Sequence, residues 1–301
     1  MRITNASMTN NYLSDVQNNL QKLDKLNIQL NSGQQINRVS DDPYKAIRIM
    51  NMKNEINNVD KFNSNCDEIT GWLDMTDEAL NQIGTISSEI KTLITSISGT
   101  ISESEIKAIK NEINEKVKQI GESLNTTYGG RYVFGGSKAD VPPVKVIEND
   151  EGIASIIINP ESNTEKLKVE ISSGIKLDYN LTTDQVTGNG SGLTTLNGIA
   201  STLEKNPVDM DELGEISKNL DKYMDDILGN RSIVGGKSNT ASAVKENNEE
   251  NIIQIKSLLS NIQDVDFTEK YVELKTAELI YNSCMQVGAK LIQPTILDYL
   301  R

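Results

Sequence analysis

Both ends of the chain carry an apolar stripe with coiled-coil spacing. Leu13, Val16, Leu20, Leu23 and Leu30 fall at alternating three- and four-residue steps, with Asn27 at the one polar step. Ala277, Ile280, Cys284, Val287 and Leu291 repeat the same alternation near the other end. A seam of this kind buries nothing while its helix stands alone, so each stripe demands a partner. The candidates are the opposite end of the same chain and further copies of it. Chain ends usually fray. Stripes placed there point to a structural protein that forms assemblies rather than to an enzyme.

Composition agrees. Only 4% of the 301 residues are aromatic, with a single tryptophan, Trp72. A thin aliphatic core, as in an elongated helical bundle, tolerates that. The net charge of -13 leaves no excess of cations to neutralise phosphates, which speaks against nucleic acid. The charge is uneven. Residues 1–40 hold Arg2, Lys22, Lys25 and Arg38 against Asp15 and Asp24, and their remaining polar surface is rich in Asn and Gln. Amides hydrogen-bond in a crowded assembly without the desolvation penalty of unpaired ions. The acidic middle reads as the solvated part.

The chain has no histidine, which removes the commonest general base and metal ligand together. Cys66 and Cys284 make no disulfide framework and read as small buried hydrophobes. No apolar run is long enough to span a membrane, and no cleavable signal peptide is visible. By secretory logic alone the protein would be cytoplasmic.

Periodicity sets the layout. The first helix runs from about Thr9 to Gln35 and ends near Ser32-Gly33. Asp42 before Pro43 is a strong helix start, a carboxylate cap followed by proline at the first helical position. The second helix carries apolar positions from Ile47 and Met50 through Ile97, about 55 residues or roughly 80 Å at 1.5 Å per residue. Ser98-Gly99-Thr100 breaks it, and a third helix follows with Ile106 through Leu124. Beyond Tyr128-Gly129-Gly130 the period becomes two. Leu167, Val169 and Ile171, then Ile175, Leu177, Tyr179 and Leu181, alternate with polar residues across Ser172-Ser173-Gly174, which predicts a hairpin. Further strands are expected at 131–134, 144–147 and 153–158, and Asn189 to Gly192 reads as an exit linker. Asp209 with Glu212 resembles a capping box. The helix it opens is expected to stop at Gly229-Asn230, and the last long helix to start near Asn239 and end before Pro294.

Apparent chemical motifs dissolve on inspection. Val234-Gly235-Gly236-Lys237-Ser238 has Arg231 where a phosphate-binding loop needs its first glycine, and no strand precedes it. A turn between helices is the expected reading. Asp264-Val265-Asp266 would place Glu269 where a calcium loop needs glycine and Lys275 where it needs glutamate. No serine or cysteine has a plausible base. Neither catalytic residues nor a cofactor or metal site is expected.

Three stretches carry a resemblance. Met1-Arg2-Ile3-Thr4, with Ser32-Gly33-Gln34-Gln35-Ile36-Asn37-Arg38-Val39-Ser40-Asp41-Asp42-Pro43, resembles the N-terminal signature of the flagellin superfamily. Tyr132-Val133-Phe134-Gly135-Gly136 resembles the segment after its N-terminal helices. Ile292-Gln293-Pro294-Thr295-Ile296-Leu297-Asp298-Tyr299-Leu300 resembles the C-terminus of the branch that joins hook to filament. Tyr44-Lys45 departs from the small residues often found there in the family. The final Arg301 is more like flagellin itself.

The resemblance implies a mainly α fold: an elongated helical hairpin and coiled-coil bundle formed by both chain ends, with a small antiparallel β insert in the middle. It implies a terminal coiled-coil domain of an inner tube (1–42 and 272–301), a helical bundle domain (43–130 and 191–271) and a β insert domain (131–190). The implied subunit interface comprises Leu13, Val16, Leu20, Leu23, Asn27, Leu30, Ala277, Ile280, Cys284, Val287, Leu291, Leu297 and Leu300. The implied partners are copies of the chain, the first hook-associated protein on the hook side, flagellin on the filament side and a cytoplasmic export chaperone. The implied location is the extracellular flagellum, reached without a cleaved signal. The filament subunit is the near alternative, and an intracellular helical scaffold the distant one.

Overall fold

The computed structural model describes residues 5–97, 102–149, 153–160, 165–203 and 209–291. Among the described residues, seven helices and six short strands follow in the order α1 Asn5–Ser32, α2 Pro43–Ser96, α3 Glu103–Leu124, β1 Thr127–Tyr128, β2 Arg131–Tyr132, β3 Val144–Glu148, β4 Ala154–Ile158, β5 Lys168–Ser172, β6 Ile175–Asp178, α4 Thr183–Val186, α5 Ser191–Leu203, α6 Met210–Gln263 and α7 Phe267–Leu291. The fold is mainly α with a β-containing middle, as expected from the sequence. Two compact units divide it. A terminal unit holds residues 1–58 and 251–301, and a middle unit holds 59–250.

Local chemistry sets the helix starts. The backbone N–H of Lys45 donates to Asp42 Oδ1 at 3.1 Å, so Asp42 caps α2 with Pro43 at its first position. Asp209 Oδ1 accepts from the N–H groups of Asp211 and Glu212 and opens α6. Asp266, read from sequence as a failed calcium loop, caps α7 through Thr268 and Glu269.

The middle unit has one continuous core. On α2 it takes Cys66, Ile69, Trp72, Leu73, Leu80, Ile83 and Ile90; on α3, Ile113, Val117, Ile120 and Leu124. Along α6 it takes Leu213, Leu220, Ile227, Val234 and Ala241, five residues at seven-residue spacing. That run corrects two expectations. Gly229-Asn230 does not stop a helix, and Val234 to Ser238 is not a turn, because α6 runs unbroken across both. A helical glycine costs about 1 kcal/mol relative to alanine. Burying Ile227 and Val234 on either side contributes roughly 1.5 to 3 kcal/mol each, which is enough to carry the helix through.

Lateral polar ties join α2 to α6 in this unit. Arg231 forks onto both Asp77 carboxylate oxygens at 2.8 and 3.1 Å and reaches Asn81 Oδ1 at 2.9 Å. Lys245 pairs with Asp67 at 2.6 Å, and Lys91 with Asp221. The sequence order of these pairs makes the two helices antiparallel.

The strands form three separate two-stranded antiparallel ribbons rather than a single sheet. The hairpin expected around Ser172-Ser173-Gly174 is β5–β6, with Gly174 at φ +77° in its turn. Ribbons this small need support along their edges, and asparagines supply it. Asn197 of α5 both donates to and accepts from Ile156 of β4, at 2.9 and 2.8 Å. Asn125 does the same for Val144 of β3. Asn65 and Asn248 donate to the carbonyls of Glu170 and Ile171 on β5. Where the sequence suggests only a linker, the chain turns through Asn189 and Gly190, both at positive φ, directly into α5. That helix buries Leu193, Leu196, Ile199 and Leu203.

Candidate assembly interface

In the terminal unit α1 packs against α7. Leu26, Leu274 and Ala277 are buried there, with Leu23 and Leu30 packed around them. Farther along, Asn19 Nδ2 donates to Cys284 Sγ at 3.5 Å and the Tyr12 hydroxyl approaches Met285 Sδ at 3.8 Å. As the numbers rise on α7 they fall on α1, so the pair is antiparallel. Gly288 is buried at the far end, where a Cβ would overlap the Tyr12 ring. Glycine there lets the two helices approach.

The residues that close this seam on α1 are Tyr12, Val16, Asn19, Leu23, Leu26 and Leu30, all buried or half-buried. They alternate four and three, as the sequence-predicted stripe does, but the line is turned by one position. Val16, Leu23 and Leu30 belong to both lines. On α7 the closed line passes through Leu274, Ala277, Tyr281, Cys284 and Gly288, sharing Ala277 and Cys284 with the predicted one. The predicted residues outside the seam face away from it. Leu13 is 50% exposed, Leu20 45%, Ile280 43% and Val287 54%. Asn27 is exposed beside them. Each helix is therefore apolar on two adjoining lines, one closed within the chain and one open. Among the predicted residues, Leu297 and Leu300 and the Leu291 side chain lie outside what is described.

Sequence reasoning missed Leu26, Leu274, Asn19, Tyr12, Tyr281 and Gly288. The signal was present, because the second line has the same heptad spacing. It was passed over because three of its members are polar or aromatic and one is glycine.

A tie pins the base of this hairpin. Gly33, at φ +68°, ends α1. The Gln35 N–H donates to the Gln263 carbonyl at 2.7 Å and the Val265 N–H to the Gly33 carbonyl at 3.1 Å, so the break after α1 and the break before α7 form a β-bridge. The buried Gln29 side chain braces it through the Gln35 carbonyl. Beside the tie, Lys25 pairs with Asp41 at 3.0 Å and the Arg38 N–H donates to Asp41 Oδ2.

The Lys25 hydrogen bond, with further help from the Arg38 N–H, holds the Asp41 carboxyl below its usual range. A lowered carboxyl pKa stabilises the fold above the ordinary carboxylate range. That contribution is lost as pH falls through the depressed value. Hydrogen-exchange protection of the Arg38 amide should therefore fall on acidification, and Asp41→Asn should remove that acid step. A step that persists in Asp41→Asn would show that another group controls the loop.

Among the described residues no group of His, Cys, Asp and Glu could hold a metal ion, and no helix is long and apolar enough to cross a membrane.

Residues 3–139 match the model of the bacterial flagellin N-terminal helical region. That match covers just under half of the chain. Among curated relatives, a flagellin of Clostridium tyrobutyricum is 26% identical over 196 residues, covering 64% of this chain and 48% of that protein. The chain thus spans about half the length of the curated relatives it matches. Among solved structures, a protein described as hook-associated from Vibrio parahaemolyticus superposes with a TM-score of 0.67 at 20% identity, covering 74% of this chain and all of that one. A flagellar junction protein of Legionella pneumophila superposes at 0.58 with 14% identity, covering 72% and 99%. These flagellar structures share the fold of this chain.

Proposed function

We propose that this chain joins the hook side of the flagellum to its flagellin filament. In this reading it assembles through the open apolar lines of α1 and α7. The observation that carries it is the pair of lines itself. The hairpin closes one seam internally and still leaves Leu13, Leu20, Ile280 and Val287 open. Four large aliphatic side chains on two terminal helices make a surface that gains by docking, roughly 1.5 to 3 kcal/mol for each one fully buried.

The partners in this reading are neighbouring copies, the first hook-associated protein on one side and flagellin on the other. A cytoplasmic chaperone holds the C-terminal segment before export without a cleaved signal. Residues 1–42 with 272–301 form the inner tube, 43–130 with 191–271 the next shell, and 131–190 the outer insert. The C-terminal motif from Ile292 to Leu300 and the likeness of the fold to hook-associated and junction proteins support it. A filament subunit is the second reading, favoured by the flagellins among its sequence relatives.

Copy number separates the two. Quantitative mass spectrometry of flagella sheared from cells should find this chain in a small, length-independent amount beside a major filament protein. An abundance that grows with filament length would identify a filament subunit instead.

A further inference from the structure

The terminal unit carries a second open apolar face, on α2. Ala46, Ile49 and Ile56 of α2 are buried, and Ile47 points the opposite way. Ile47 is 58% exposed, with Tyr44 at 76% and Met50 at 58% on either side of it. Residues 43–54 contain Lys45, Arg48 and Lys53 and no acidic residue. The face is therefore an apolar stripe set among cations.

The middle unit offers its complement. A groove of about 420 Å³ runs between α2 and α6, floored by Leu80, Gly84, Met224, Ile227 and Leu228. Leu228 is 65% exposed at its lip, and Asp225 stands exposed one turn before it. The middle unit holds 18 Lys and Arg against 32 Asp and Glu, whereas the terminal unit holds 12 against 11.

We propose that the Tyr44–Ile47–Met50 face of one copy docks in the α2–α6 groove of a second copy. The contact joins unlike surfaces, so it runs head to tail and sets a stagger between neighbours along the helix direction. Apolar side chains fill the groove, whose Arg231 is already paired with Asp77, and Arg48 pairs with the exposed Asp225 beside it. Charges placed this way select orientation and register as well as adding attraction. The inference rests on the assembly reading above and names a surface that reading does not contain.

Thiol cross-linking tests it. A chain carrying Cys284→Ser, Asn51→Cys and Ser232→Cys keeps every apolar contact intact, and Cys66 is fully buried. Asn51 and Ser232 are exposed, one turn beyond Ile47 and Leu228. In flagella sheared from cells, a bifunctional thiol reagent should give a species of twice the mass, absent from either single-cysteine chain. Arg48→Glu should lower its yield about tenfold, and adding Asp225→Arg in the same chain should restore it. A chain present in sheared flagella that gives no such species overturns this contact and leaves the assembly reading standing. Absence of the unsubstituted chain from sheared flagella overturns both.

Discussion

Leu20→Asp and Val287→Asp should each abolish incorporation into flagella while leaving the purified monomer as stable as before. Both side chains are about half exposed, and neither belongs to the closed α1–α7 seam. Exposed substitutions away from caps and ion pairs usually change stability by about 0.5 kcal/mol or less. In the assembly the same carboxylate would be buried without a partner, at an effective penalty of several kcal/mol. Leu26→Ala supplies the contrast. It empties a buried position in the seam and should cost about 2 to 5 kcal/mol in the monomer itself. Thermal melts followed by far-UV circular dichroism, beside immunodetection in sheared flagella, separate the two effects. If Leu20→Asp assembles normally, the open line is not the interface. If it unfolds the monomer, the line is not open in solution.

The second large effect belongs to the middle unit. Trp72 is 3% exposed and meets Tyr128 and Tyr179 edge-on, with ring centroids 6.0 and 5.6 Å away. The Arg131 guanidinium lies 5.8 Å from the Trp72 ring centre. One side chain thus gathers α2, the β1–β2 ribbon and the segment after β6. Trp72→Ala should cost about 3 to 5 kcal/mol, as for other large aromatics cut back in a core. For a unit of this size that lowers the melting temperature by roughly 6 to 20 °C. Trp72→Phe should cost much less, because the buried indole N–H has no hydrogen-bond partner among the described residues and its loss leaves nothing unpaired. Thiol labelling of Cys284, in the terminal unit, should be unchanged by either substitution. Equal melting temperatures for Trp72→Ala and the parent chain would remove Trp72 from the core, and faster Cys284 labelling would show that the two units unfold together.

Much of this fold was legible in the residues, for identifiable reasons. Asp42-Pro43 marked the start of α2 because capping chemistry is local. The β5–β6 hairpin was legible because strict alternation on both sides of a glycine turn has few other solutions. The continuity of α6 was not, because Gly229, Gly235 and Gly236 are locally unfavourable and the evidence against a break lies in burial seven residues apart, from Leu213 to Ala241. Helix α5 was missed because its Gly- and Thr-rich sequence has weak helical preference and is held by what its leucines bury. At the candidate interface the spacing gave the right helices and the right period. It could not choose between two adjoining lines, because both satisfy the heptad and only the packed partner decides which one closes.

The β-bridge between Gln34 and Asp264 makes α1 and α7 two rails bolted together at one end. Their facing pairs, from Leu26 with Leu274 to Tyr12 with Gly288, are counted from that bolt. A single residue inserted between Leu30 and Gly33 would rotate everything before it by about 100° relative to the bolt. Gln17, Asp24 and Asn31 would then stand in the seam where Val16, Leu23 and Leu30 now pack. Lengths of the two arms on either side of the bolt can therefore change only in whole heptads and in both arms at once, so this part of the chain should accept substitutions far more readily than insertions or deletions.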